Sequence, residues 1–116
     1  MANTFKVKTN AAMPSSSGTP LTLYTCPSST QTIVIGLTLC NVHTVAVTAD
    51  VQLVSDTSDT ETNGNVELVT GAPIPAGGSL ETLGGGKLVL QTTDILRVTS
   101  DTASSLDIAL SIMEIT

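Results

Sequence analysis

The sequence predicts an all-β domain, an antiparallel β-sandwich or small barrel of about eight to nine short strands. Three observations lead there. Apolar residues alternate with small polar ones along most of the apolar stretches, the period-two pattern of a strand with one face buried. No window keeps hydrophobic residues at i, i+3, i+4 and i+7 beyond a turn, while β-branched Thr, Val and Ile abound and favour strands. Turn residues punctuate the runs at roughly ten-residue spacing. At 116 residues the chain is sized for a single domain, 1–116, with a short N-terminal arm.

The elements follow in chain order. Thr4 to Thr9 sets Phe5 and Val7 on one face and Lys6 and Lys8 on the other. Met13 to Pro20 reads as an exposed loop, and Leu21 to Thr25 alternates Leu21 and Leu23 with Thr22 and Tyr24. Cys26 to Ser29 is a tight corner around Pro27. From Thr32 to Cys40, Ile33, Ile35, Leu37 and Leu39 face in, and Thr32, Val34, Gly36 and Thr38 face out. Asn41 to Thr44 turns the chain with His43 exposed, after which Val45, Val47, Ala49, Val51 and Leu53 point to the core.

Asn63-Gly64 is the dipeptide type I′ hairpins favour, because both central residues need positive φ. It precedes a strand at Asn65 to Thr70, with Val66 and Leu68 opposite Glu67 and Val69. Pro73 and Pro75 cannot donate ladder hydrogen bonds, so Ala72 to Ala76 belongs on an edge or in a connection. Ser79 to Leu83 and Lys87 to Gln91 are short strands joined through Gly84-Gly85-Gly86 as a hairpin, and Ile95 to Ser100 follows. The last strand turns Leu106, Ile108, Leu110 and Ile112 inward and Asp107, Ala109 and Ser111 outward.

Composition narrows the function classes. Four basic residues stand against ten acidic ones, a formal charge of −6, with a pI near 4.2. Lys6, Lys8, Lys87 and Arg97 are too few to neutralise phosphates, and Phe5 and Tyr24 too few to stack bases, so nucleic acid is not expected as a partner. An anionic membrane surface is disfavoured for the same reason, and no apolar run approaches the ~20 residues of a spanning helix. The first residues hold no apolar stretch of signal-peptide length, which points to a cytoplasm as the compartment of synthesis. Free thiols at Cys26 and Cys40 suit that compartment. A mean hydropathy of +0.33 argues against disorder.

No catalytic, cofactor-binding or metal site is predicted. The acidic stretch Asp56 to Asn65 carries oxygen ligands of the kind calcium takes, but without the spacing of an EF-hand, and reads first as a solvated hairpin tip. Gly84-Gly85-Gly86-Lys87 is not a phosphate loop, because Glu81 and Leu88 occupy the positions that need Gly and Ser or Thr. Cys40 and His43, three residues apart on a strand, would face opposite sides, and no base, nucleophile and orienting group assemble. An enzyme is therefore not expected.

Thr and Ser number 20 and 12, so the outward positions carry little charge. Val34, Gly36, Ala46, Val54, Val69, Ile95, Met113 and Ile115 all fall there. Flat, uncharged strands invite pairing, which favours faces buried against copies of the same chain over a sandwich capped only by its own loops.

Several runs resemble a known group. Leu23-Tyr24-Thr25, Thr32 to Asn41, Ala72 to Glu81 and Ser104 to Ile115 are similar to small virion structural proteins of tailed phages, in particular those infecting cyanobacteria. The resemblance spans nearly the whole chain and lies in strand-and-turn patterns. It implies a jelly-roll-like sandwich acting as a capsid cement, or decoration, protein. Its partners would be itself, as a homotrimer, and the major capsid protein; its location would be the capsid exterior after assembly in a host cytoplasm. Asn3 to Thr9 and Met13 to Pro20 would then be arms reaching to neighbours. A tail or baseplate component is the alternative within the resemblance. A ligand-binding β-module such as a lectin is the alternative outside it, weakened by the scarcity of aromatic platforms.

Overall fold

The computed structural model describes residues 3–55, 64–83 and 86–116. Among them are nine strands and no helix: β1 (Asn3–Met13), β2 (Leu21–Thr25), β3 (Gln31–Asn41), β4 (Val47–Ser55), β5 (Gly64–Ile74), β6 (Ser79–Glu81), β7 (Leu88–Leu90), β8 (Ile95–Ser100) and β9 (Leu106–Ile115). One sheet runs β1-β9-β3-β6 with β7 also on β3, and the other runs β2-β8-β4-β5. All pairings are antiparallel.

β6 and β7 lie in line along the same edge of β3, on Thr38–Cys40 and Thr32–Val34 respectively. Counted as one interrupted strand, they leave four nested pairs: β1 with β9, β2 with β8, β3 with β6/β7, and β4 with β5. That nesting is the jelly roll. It also corrects the hairpin expected around Gly84-Gly85-Gly86, because β6 and β7 pair with β3 and not with each other.

The core forms where the inner faces of the two sheets meet. Val34, Leu37, Leu39, Leu90, Leu106, Leu110 and Ile112 come from one sheet and Val47, Val51, Ile74, Leu96 and Val98 from the other, all at 1% exposure or less. Burying a side chain of this kind stabilises by about 1.5–3 kcal/mol. β9 alternates as its sequence predicts, with Leu106, Ile108, Leu110 and Ile112 buried and Asp107, Ala109 and Ser111 exposed. In β4, Val47, Ala49 and Val51 are buried and Leu53 half-buried, whereas Val45 precedes the strand and is exposed. Pro73 sits on the edge strand β5, opposite Thr48, where a missing N–H costs no ladder bond. Gly71, at φ +59 beside a bulge in β5, donates its N–H to Asp50 Oδ1, a backbone conformation that favours glycine.

β3 departs from simple alternation. Val34 pairs with Ile112 and Gly36 with Ser111, so Ile35 is an extra residue bulged out of the ladder. The bulge inverts the phase of the first half of the strand. Thr32 and Val34 are buried, Ile33 is half-buried and Ile35 is 40% exposed, the reverse of the inward Ile33 and Ile35 that period two predicts. A second bulge in β2 falls at Leu23, between Thr22 and Tyr24, and turns both Leu23 and Tyr24 inward. Each bulge sets one extra residue against none on the partner strand and re-aims the side chains beyond it.

The turn after β3 is held by Asn41, fully buried. Its Nδ2 donates to the carbonyls of Val45 and Ile74, both at 2.9 Å, and its Oδ1 accepts from His43 N at 2.8 Å. His43 is exposed, as expected. In the loop from Met13 to Pro20, residues 15–20 are exposed but Pro14 is buried.

The bulge gives a direct test. Val34→Ala should cost about 1–3 kcal/mol in urea unfolding and Ile35→Ala less than about 0.5 kcal/mol. The opposite order would mean that β3 keeps its phase through Ile35.

Candidate functional site

Two arrangements occupy opposite sides of the same end of the β1-β9-β3 sheet. On the inner side, Glu114 of β9 is buried and draws together side chains from three other strands. Lys6 Nζ of β1 lies 2.7 Å from its Oε1, and Tyr24 of β2 donates its hydroxyl to Oε2 at 2.5 Å. With that proton committed, the Thr32 hydroxyl of β3 donates to the Tyr24 oxygen at 2.8 Å. Cys26 Sγ is 3.4 Å from Thr32 Oγ1 and 3.3 Å from the Thr30 carbonyl.

A carboxylate here is kept ionised by its neighbours. Hydrogen bonds from Lys6 and Tyr24 outweigh the cost of burial and hold Glu114 below the usual glutamate range. Burial, with Glu114 alongside, pushes the Tyr24 hydroxyl well above the ordinary tyrosine range, and burial likewise raises the Cys26 thiol. Both cysteines are free, Cys26 inside the core and Cys40 half-buried.

On the outer side, the register lines residues into rows across the strands. Phe5, Met113, Ile33 and Val89 form one row, and Asn3, Ile115 and Gln31 flank it. Val7, Ser111 and Gly36 form the next, with the bulged Ile35 beside them, and Thr9, Ala109 and Thr38 the one beyond. Phe5 is 72% exposed, Val7 63% and Val89 58%. Two carboxylates share the face: Asp107, exposed one row further along β9, and Glu81, which extends the third row beyond Thr38. Glu81, opposite Thr38 at the sheet edge, turns back to accept from Leu37 N and Thr38 Oγ1 at 3.2 and 2.9 Å.

The two sides are coupled. Lys6, Glu114 and Thr32 are the chain neighbours of Phe5, Met113 and Ile33, so the inner cluster pins the strands that carry the outer row. Beyond the third row the sheet opens into a groove of about 340 Å3 lined by Thr9, Ala11, Thr38, Cys40, Asp107 and Ala109. A bulge in β1 between Asn10 and Met13 shapes it, and there Ala12 N donates to Asp107 Oδ1 at 2.8 Å.

The other sheet presents a different outer face. Thr22, Arg97, Gln52 and Glu67 form a polar row across it, with Gln52 Nε2 donating to Glu67 Oε1 at 3.1 Å. Asp50 lies on the same face.

Of the residues expected on outer faces, Gly36, Met113 and Ile115 lie on the outer face of the β1-β9-β3 sheet. Val54, Val69 and Ile95 are half-buried on the polar sheet, Ala46 is exposed before β4, and Val34 is core. Ile33, Ile35 and Val89 escaped that expectation; the signal for the first two was the bulge, which alternation cannot reveal. Asn3 to Thr9, read as an arm, lies in β1 along β9. Among the described residues no group of three His, Cys, Asp or Glu is placed to hold a metal. Of the acidic stretch Asp56 to Asn65, positions 56–63 lie outside the described residues.

The cluster predicts a pH dependence with a definite sign. A glutamate depressed in the folded state contributes stability that is present above its ordinary value, about 4.3, and lost as pH falls through the folded value. Urea unfolding between pH 3 and 6 should show a steeper acid loss in the parent than in Glu114→Gln. Asp101, also depressed by its hydrogen bond from the Thr48 backbone, contributes equally to both and cancels in the difference. At the alkaline end the raised Tyr24 makes stability fall as pH rises above about 10. Tyr24→Phe should flatten that limb, leaving the part that the raised Cys26 thiol supplies.

No protein-family model matches the chain, and no curated protein matches it. Among solved structures the chain is similar to the crystal structure of the infectious bursal disease virus VP2 subviral particle, at 16% identity and a TM-score of 0.49. The likeness covers 94% of this chain and 32% of that one, so the present chain spans about a third of the other's length.

Proposed function

We propose that this chain is a virion structural protein of a tailed phage, a cement protein that binds the outside of the capsid and bridges neighbouring capsomers without catalysis. The observation that carries the reading is the exposed apolar patch of Phe5, Val7, Ile35 and Val89 on the outer face of β1, β3 and β7, on a chain whose net charge is −6. Soluble monomers rarely leave such a face bare, and one of this kind marks a docking surface. The sequence resemblance to phage virion proteins supplies the setting.

The physics of the role is modest contacts repeated many times. A small rigid sandwich bound at each lattice position resists expansion because each contact, once one is made, is re-formed at high effective concentration. The acidic exterior keeps the protein off the phosphate backbone of the packaged genome. The interior stays intact under load because its strands are cross-tied by Asn41 and by the Glu114 cluster.

Copy number tests the reading. In purified virions, quantitative mass spectrometry against the major capsid protein should find this chain near lattice stoichiometry. A few copies to some tens would move it to the tail or baseplate, and absence would end the virion reading.

A further inference from the structure

We propose that the groove on the outer face of β1, β9 and β3 receives a cationic side chain, lysine or arginine, from a partner protein that also covers the apolar patch beside it. The groove holds about 340 Å3, near the lower end of ligand pockets and enough for one long side chain. Its walls are the small residues Thr9, Ala11, Thr38 and Ala109, with Cys40 and Asp107 paired in register across β3 and β9.

The charge in and beside the groove is negative. Asp107 gives Oδ1 to the Ala12 N–H at 2.8 Å and, among the described residues, has no other partner. The Thr38 hydroxyl donates its proton to Glu81 Oε2 at 2.9 Å, so its oxygen is left as an acceptor at the groove wall. Glu81 adds a second carboxylate at the edge of the same row. The cations of the chain lie elsewhere. Lys6 is bound to Glu114 and, like Lys8, falls on the inner side of β1, while Arg97 belongs to the other sheet. Lys87 precedes β7, which meets β3 at Thr32–Val34, far along the strand from Cys40. A carboxylate in a cleft of small residues, with acceptors around it and no cation of its own, favours a cation from outside whose aliphatic stem packs on the walls.

Two observations make the source a protein, and neither a free amine nor a second copy. From Thr9 the same face continues along β1 to Val7 and Phe5, both largely exposed, so the occupant carries apolar surface as well as charge. A second copy, with its net charge of −6, is repelled by Asp107 and Glu81 and brings the same two carboxylates on its own outer face. A segment that sets a lysine or arginine beside apolar residues meets both conditions. Closing the groove excludes water from the pair, which makes it contribute more than an ion pair left in solvent.

Fluorescence anisotropy of short labelled peptides on the purified chain, at about 50 mM salt, provides the test. A peptide with one central arginine flanked by valines should bind with a dissociation constant of about 100 µM or below, and its glutamate counterpart at least about tenfold more weakly. Asp107→Asn keeps an acceptor for the Ala12 N–H and should weaken the arginine peptide at least about tenfold. Ala109→Phe fills the groove with the carboxylate intact; it should have a similar effect, and it decides the matter if Asp107→Asn does not fold. Glu67→Gln removes one charge from the other sheet and should leave binding unchanged. No binding, equal binding of the glutamate peptide, indifference to both groove variants, or an equal loss in Glu67→Gln would each overturn the proposal. So would free arginine that competes as well as the peptide does, or a doubled mass in sedimentation that Asp107→Asn abolishes, because the occupant would then be a small amine or a second copy. This inference does not rest on the cement reading: peptide binding to the isolated chain can fail while the virion copy number holds, and the reverse.

Discussion

The pairing of β3 with β9, and the single residue by which it slips, governs the rest of the molecule. Ile35 is extruded between the Val34–Ile112 and Gly36–Ser111 pairs. On one side of that slip Leu37 and Leu39 face the core, and on the other Thr32 and Val34 do. Had the strand kept its phase, Ile33 and Ile35 would fill the core and Thr32 would face solvent. Tyr24 would then lack its hydroxyl donor. Ile33 would also leave the outer row that it completes with Phe5 and Met113. One inserted residue thus sets the composition of both faces at once, because a shift of one in a period of two exchanges them.

The buried cluster beneath that row solves a problem that β1 poses. Most of β1 is exposed, so the strand gains little from burial and depends on its ladder with β9. The Lys6–Glu114 ion pair adds a side-chain tie from β1 to β9, and Tyr24 and Thr32 extend it into β2 and β3. A buried carboxylate is costly when unpaired. Here an ammonium and a phenol hydroxyl satisfy both oxygens, so the charge locks four strands in place. The outer row owes its geometry to that lock, since its members alternate with the locked residues along the same strands.

The two outer faces differ in composition. Asp50, Glu67 and Arg97 keep one sheet solvated, while the other carries apolar and small hydroxyl side chains in rows. Charge on the second face comes from Asp107 and from Glu81, whose carboxylate lies beside Gly36. Lys6 and Lys8 fall on the inner side of β1, and Glu81 accepts from Leu37 N and Thr38 Oγ1 on β3.

Much of this was legible in the sequence. Alternation in β4 and β9, the edge position of Pro73, the exposed turn at His43 and the all-β class come from local rules: a strand's period is two, proline lacks a donor, and a turn needs residues that tolerate it. The outer face was legible in part, through Met113, Ile115 and the low charge of the Thr-rich positions. Ile33, Ile35 and Val89 were not, and neither was the inner cluster. A bulge has no residue signature in β3, and the two side chains that bond Glu114, Tyr24 and Lys6, lie far away along the chain. The sequence by itself determined that this chain forms strands and which residues are able to be buried. Only the tertiary structure decided which face each half of β3 shows and which strands meet, because register is a property of pairs of strands and not of either one alone.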